Sequence, residues 1–257
     1  DYTRVADALH KGDISIVFRQ ALAAKAFGLL AFYDAQIARF LSKEPFPDEL
    51  TLPLRKSEVL RYGDNPDEPA VLYTSPHTLS PLARLQRLAG RELSATNVTD
   101  IGAGIEVIRL FDKPAVAVIK HNSPCGIALG SSPEEALERA LEADSESAFG
   151  GVVVSNREIT EACAQALAAF KQSGKGQMDI IAAPGIDGGA RALLQQIRKT
   201  TGLYTFGTIP SQSDSMLVRA IDGGVIVQSM NDPESSFENW RVVTKAQPTA
   251  RQLKQMQ

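Results

Sequence analysis

Pro114-Ala115-Val116-Ala117-Val118-Ile119-Lys120-His121-Asn122-Ser123-Pro124-Cys125-Gly126 decides the fold class. Residues 115–119 are a short apolar run suited to a buried strand, and Pro124 with Gly126 predicts a turn just beyond it. Lys120 and His121 therefore stand together where a strand stops. In open α/β sheets ligands bind at the carboxyl ends of strands, which makes this pair a candidate acid/base site. A chance surface pair is the plainer reading.

Outward from this stretch, Gly151–Val154, Asp179–Ala183 and Gly224–Val227 are further apolar runs of strand length. Helical patterns lie between and around them at Asp100–Phe111, Ser132–Ala143, Glu158–Phe170, Gly188–Lys199 and from Thr249 onward. Ser132-Pro133-Glu134-Glu135 supplies an N-cap, a proline at the first helical position and early acids. Strands alternating with helices predict a layered α/β sheet with flanking helices. Upstream, Val17, Leu22, Phe27, Leu30, Tyr33, Ile37 and Leu41 recur at helical spacing through alanine-rich sequence, which predicts one long helix over Ile16–Leu41. Pro45 and Pro47 end it. Residues 43–58 read as a linker, so the chain divides into 1–42, 43–58 and a main body over 59–257.

The chain has 257 residues, 44% of them apolar, enough for a buried core in one large or two smaller domains. Its 27 basic and 30 acidic residues give a net charge of −3 without a basic run. Nothing in that balance recruits a nucleic-acid backbone. No stretch approaches the ~18 uninterrupted apolar residues of a membrane span, and Asp1-Tyr2-Thr3-Arg4 does not open a signal peptide. Cys125 and Cys163 make no disulfide framework. A cytoplasmic protein without nucleic-acid or membrane partners is expected. The missing initiator methionine, and a helix that begins just before Gln257, lead us to expect a fragment.

Several motifs carry chemistry, each with a plainer alternative. Leu60-Arg61-Tyr62-Gly63-Asp64-Asn65-Pro66 joins a guanidinium fork, suited to phosphate or carboxylate, to a turn that lets backbone approach a ligand; an Asn-Pro turn bearing a surface arginine is equally ordinary. The paired glycines of Ser145-Glu146-Ser147-Ala148-Phe149-Gly150-Gly151 permit positive φ or close ligand approach, or simply a tight turn. Asp179 could accept hydrogen bonds from a substrate amine, or cap a turn. Asn97 carries the same two readings. His121 and Cys125 superficially suggest a zinc deaminase, but that signature requires a glutamate two residues after the histidine and a Cys-x-x-Cys. Position 123 is serine and position 128 alanine. His10 and His77 have no partners at ligand spacing and read as solvated. Ser173-Gly174-Lys175-Gly176 lacks the spacing of a P-loop.

Taken jointly, Leu60-Arg61-Tyr62-Gly63-x-Asn65-Pro66, Ile119-Lys120-His121-x-x-Pro124-Cys125-Gly126, Ser147-Ala148-Phe149-Gly150-Gly151 and Ile180-Ile181-x-x-Pro184-Gly185 resemble one family in order and approximate spacing. It is the bifunctional purine biosynthesis family, which combines phosphoribosylaminoimidazolecarboxamide (AICAR) formyltransferase with IMP cyclohydrolase. Ala23–Asp34 is similar to its connecting helix and Val242–Thr249 to a mid-domain segment. The resemblance implies cytidine-deaminase-like α/β units that work without zinc, AICAR as substrate, 10-formyltetrahydrofolate as co-substrate, and an active site shared across a homodimer.

It further implies that His121 is the base that removes a proton from the poorly nucleophilic 5-amino group, for which an unperturbed imidazole pKa of ~6.5 is well matched. Lys120 would stabilise negative charge on the formyl oxygen. Both can serve one site only if the strand ends at Lys120, because successive strand residues point to opposite faces. Arg61 and Tyr62 would hold the ribonucleotide, Gly150 would offer backbone to it, and Asn97 and Asp179 would contact the base or its carboxamide. Two departures stand out: Asp67 and Glu68 replace the family's usual His and Gln, and the chain matches only the tail of the cyclohydrolase domain with the connecting helix (1–42) and the first part of the transferase (59–257). Formyl transfer is then the expected activity and IMP cyclohydrolase is not. A non-catalytic ribonucleotide-binding or dimerisation module, and an α/β transferase sharing only the turns, are the rival expectations.

Overall fold

Ala115 to Ile119 are all buried, because the strand they form is covered on both faces. Val116 and Val118 enter one core cluster, while Ala115, Ala117 and Ile119 enter another. The computed structural model describes residues 1–12, 14–42, 44–76, 78–210, 216–229 and 241–256. Lys43 and His77 lie outside the described residues.

Two compact units are present, Asp1–Ser211 and Gln212–Gln257. The first begins with helices α1 (Tyr2–His10) and α2 (Ile16–Leu41). A hairpin of β1 (Arg55–Val59) and β2 (Val71–Thr74) follows, so residues 55–58 of the expected linker are strand. Next come a single 3-10 turn at Pro81–Arg84, β3 (Gln86–Ala89), α3 (Ala95–Ile108), β4 (Ala115–Lys120), β5 (Ser123–Leu129) and α4 (Pro133–Ala143). Then β6 (Val152–Ser155), α5 (Glu161–Gln172), β7 (Ile180–Ala183), α6 (Gly188–Ile197) and β8 (Gly202–Thr205) form two consecutive βαβ steps.

The six-stranded sheet runs β3-β8-β7-β6-β4-β5. Strands β6, β7 and β8 are mutually parallel; β4 is antiparallel to β6, and both edge strands are antiparallel to their neighbours. Helix α3 covers one face with Val98, Ile101, Ile105 and Ile108. The other face is covered by α4, α5 and α6, through Leu137, Leu141, Leu167, Phe170 and Leu194. Side-chain caps at Ser94, Ser132, Thr160 and Asp187 start these four helices, each oxygen accepting from an amide three residues on. The layered α/β sheet with flanking helices is thus the architecture.

Four local expectations change. The chain turns at His121-Asn122, not at Pro124 or Gly126. Both turn residues have positive φ, 53° and 61°, as a two-residue hairpin requires. Pro124 and Gly126 lie within β5, an edge strand where a missing N–H is tolerated. Helix α3 starts at Ala95, five residues earlier than expected, because Ser94 and Asn97 form a capping box. The Gly224–Val227 run is a strand, β10 (Gly224–Gln228), but it pairs with β9 (Leu217–Ile221) in the second unit and has no place in the six-stranded sheet. That unit ends in helix α7 (Ala250–Met256).

Helix α2 has the expected bounds and a Ser15 N-cap, and none of its residues is buried. Phe27, Leu29, Leu30, Tyr33 and Phe40 are exposed on it. Its mean hydropathy reaches 1.3 over 18 residues, so length and composition alone would let it cross a membrane. The expectation that no stretch does so holds only for uninterrupted runs, since Arg19, Lys25, Asp34 and Arg39 break this one. Arg55 of β1 stacks 4.3 Å from the Phe32 ring and ties the helix to the hairpin.

Candidate active site

Strand β4 ends at Lys120, which satisfies the condition under which Lys120 and His121 can face one region. The left-handed backbone of His121 breaks the strand alternation at that point. By alternation Lys120 follows Val116 and Val118 onto the α4–α6 side of the sheet, and its Nζ donates to the Phe149 carbonyl at 2.8 Å. An ammonium has three donors, and among the described residues the other two have no protein partner. The His121 imidazole is exposed to solvent.

The Phe149 carbonyl belongs to the loop that carries Gly150. Gly150 takes φ +75° and donates its N–H to the Gln177 carbonyl at 2.7 Å. Gly151 serves close approach: a Cβ there would stand 3.0 Å from the carbonyl oxygens of both Ala148 and Ile119. The two glycines let this loop fold against the end of β4, and Lys120 clamps it there.

Arg61 and Tyr62 lie in the long β1–β2 connection. The Arg61 amide donates to the Leu93 carbonyl at 2.8 Å, and the Tyr62 carbonyl accepts from Ala95 at 3.0 Å, which seats the loop at the start of α3. The guanidinium stacks 4.6 Å from the Tyr62 ring centre and donates to its hydroxyl at 2.9 Å. Glu68 braces the turn by accepting from the Asn65 backbone at 3.1 Å and its side-chain amide at 2.9 Å. Those bonds hold its carboxyl below the usual range. The acid at position 68 therefore has a defined role inside the loop.

Asn97 and Asp179 are engaged elsewhere. The Asn97 side chain accepts from the Ser94 amide at 3.1 Å as part of the α3 cap. Asp179 sits just before β7, its backbone paired to Gly151 and Gly202. Its two carboxylate oxygens each accept from an arginine at 2.7 Å, Oδ1 from Arg198 and Oδ2 from Arg91. The candidate edge gathers Lys120, His121 and Gly150 directly, with Arg61 and Tyr62 joined to them through α3. This edge is the amino end of β6 and β7. The strands β4 and β3 run the other way and present their carboxyl ends here, and of the two only β4 delivers the candidate pair, so the strand-end argument applies to β4.

Asp100, Arg91 and Arg198 escaped the sequence reading. Asp100 is 6% exposed on the inner face of α3, and its Oδ1 accepts from the Asn122 amide at 2.7 Å. Burial pushes its carboxyl up, opposed by the Asn122 amide and by the neighbouring His121. The available signal was an acid on the apolar stripe of Val98, Ile101 and Ile105, where charged residues seldom sit. Cys125 behind the turn has its thiol pushed up by burial, then by Asp144, against the pull of Lys120. Among the described residues no three His, Cys, Asp or Glu side chains converge on one point.

The Asp100 shift has a testable sign. Its folded-state pKa is raised, so the folded protein binds this proton more readily than the unfolded chain, and ionisation removes stability as pH rises from the ordinary Asp value of about 4 toward the raised one. Denaturant melts of wild type and Asp100→Asn across that range should diverge in favour of the variant as pH rises. A pH-independent difference would contradict the shift.

A family model described as the AICARFT/IMPCHase bienzyme matches residues 1–257. The chain is similar to proteins named bifunctional purine biosynthesis protein PurH. It is 36% identical to that of Oceanobacillus iheyensis over 260 residues, which covers 100% of the chain and 50% of the relative. With that of Chloroflexus aurantiacus the identity is 40% over 252 residues, 97% of the chain and 47% of the relative. For Lactococcus lactis the figures are 39% over 266 residues, 100% and 50%. The chain spans about half the length of the curated relatives it matches.

Proposed function

The chain belongs to the AICARFT/IMPCHase bienzyme family, and we propose that it carries part of the formyltransferase site rather than the cyclohydrolase site. The single observation that supports this half is the end of β4: a clamped ammonium beside an exposed imidazole in a fixed left-handed turn. That pairing suits acyl transfer to a weak amine. As the 5-amino nitrogen of AICAR bonds to the formyl carbon of 10-formyltetrahydrofolate, His121 takes the amine proton. Lys120 stabilises the oxyanion that develops on the formyl oxygen. Collapse of the tetrahedral intermediate breaks the bond to the folate N10, which takes up a proton and leaves as tetrahydrofolate. Arg61 and Tyr62 hold the ribonucleotide, and the Gly150 loop lies beside it; Asn97 and Asp179, held in the α3 cap and between Arg91 and Arg198, contact the base or its carboxamide only where a bound ligand displaces those partners. No step needs a metal. A cytoplasmic homodimer is the working unit, and the remaining contacts come from the rest of a protein of the relatives' length or from the partner subunit.

A second reading is a ribonucleotide-binding or dimerisation module without turnover. Formyl transfer measured on the chain and on a form extended to the relatives' length separates the two. The extended form should turn over; AICAR binding without turnover in either would leave the module. Calorimetry tests the ribonucleotide assignment, with Arg61→Ala expected to weaken AICAR binding roughly tenfold to a hundredfold, the loss of a charged hydrogen bond. An unchanged affinity would remove Arg61 from the site.

A further inference from the structure

We propose that Asp100 is a positioning residue: from the inner face of α3 its carboxylate holds the His121–Asn122 turn in the left-handed conformation that aims the imidazole. The inference rests on the formyl-transfer reading given above. A two-residue turn with both φ values positive ordinarily draws on glycine at one position. Here neither residue is glycine; asparagine and histidine tolerate the left-handed region better than most residues but do not prefer it as glycine does, so two in succession gain from an external hold. The Asp100 Oδ1 accepts from the Asn122 N–H at 2.7 Å, the short end of the N–H···O range, and supplies that hold.

The placement of Asp100 is otherwise hard to account for. A carboxylate only 6% exposed is costly unless it is bonded, and among the described residues Asp100 makes no ion pair with Lys or Arg. Gly104, one turn further along α3, explains the reach. A Cβ there would collide with the Val154 side chain and stand 3.3 Å from Ile119, so its absence lets α3 lie close over β4 and β6. The same helix receives the Tyr62 carbonyl at Ala95. Five residues at 1.5 Å each put the two attachments about 7.5 Å apart along the axis. Helix α3 thus sets the distance between the loop that holds the nucleotide and the turn that carries the base.

The test uses the extended, active form. Asp100→Ala should lower kcat roughly tenfold to a hundredfold, the range for a catalytic group displaced without being removed, with little change in the KM for AICAR. Adding Asn122→Gly, which favours positive φ unaided, should recover much of the loss; a role of Asp100 confined to α3 stability would give no recovery. A second pair keeps the test decisive if Asp100→Ala does not fold. Asp100→Asn keeps an acceptor at the same reach and should retain most of kcat, whereas Asp100→Glu keeps the charge but displaces it by a methylene and should not. The opposite order would mean that charge, not position, matters and would overturn the proposal. Unchanged kcat in Asp100→Ala alongside an inactive His121→Ala would also overturn it while leaving the site intact. An active His121→Ala would instead strike the site reading itself.

Discussion

His121→Ala in the extended form is expected to reduce formyl transfer by about 10² to 10⁴, the usual contribution of a positioned base, while AICAR still binds. The imidazole is exposed and makes no packing contribution to the core, so folding should survive. The loop expected to hold the ribonucleotide is anchored separately, at Leu93 and Ala95. The left-handed backbone complicates an alanine substitution, because alanine adopts φ +53° less readily than histidine. His121→Asn removes that ambiguity: asparagine tolerates the left-handed region but cannot act as a base near neutral pH. Equal losses in the two variants would assign the effect to proton transfer. Retained turnover in His121→Asn would remove His121 as the base.

Gly126→Ala should be the most destabilising of the simple substitutions around the site. Gly126 is buried in β5 beneath α4, and an added Cβ would overlap the Ala140 carbonyl and stand 2.9 Å from the Ala143 Cβ. Backbone cannot swing aside as a side chain can, so α4 or β5 must shift. Overpacking of this kind costs up to about 3 kcal/mol, and for a chain of this size each kcal/mol lowers Tm by roughly 2–4 °C. A fall of roughly 6–12 °C by calorimetry is the expected result. Since Gly126 is in register with Val118, the displacement should propagate to Lys120 and His121 and lower activity at temperatures where the protein is still folded. A melting temperature equal to wild type would show that α4 accommodates the methyl group by sliding.

Elements buried on both faces were the legible ones. β4, β6 and β7 are unbroken apolar runs, and α4 announces itself through Ser132 and Pro133. Strand β5 was hidden because an edge strand needs no apolar run and tolerates Pro124, and because the left-handed turn before it contains no glycine. The start of α3 was hidden by a capping box closed with Asn97 instead of the commoner Glu or Gln. Within the candidate site, motifs on single loops could be read: Lys120 with His121, Arg61 with Tyr62, Gly150. What joins them could not. Asp100 meets Asn122 across 22 residues, and the Asp179 carboxylate meets Arg91 across 88, distances over which local pattern carries no information. The orientation of β4 was equally invisible, since an apolar strand reads the same in either direction.

The outer position of β3 governs the order of assembly. Its hydrogen-bonded neighbour is β8, and the adjoining Arg91–Thr200 contact closes a separation of 109 residues. Loop closure of that length must be completed before the pairing returns any free energy. During synthesis β3 emerges early and waits, unpaired, until β6, β7 and β8 have followed, and the Arg91–Asp179–Arg198 clasp closes only then. A refolding experiment should therefore find this side of the sheet last protected from hydrogen exchange, with the β4–β5 hairpin and its His121–Asn122 turn already formed.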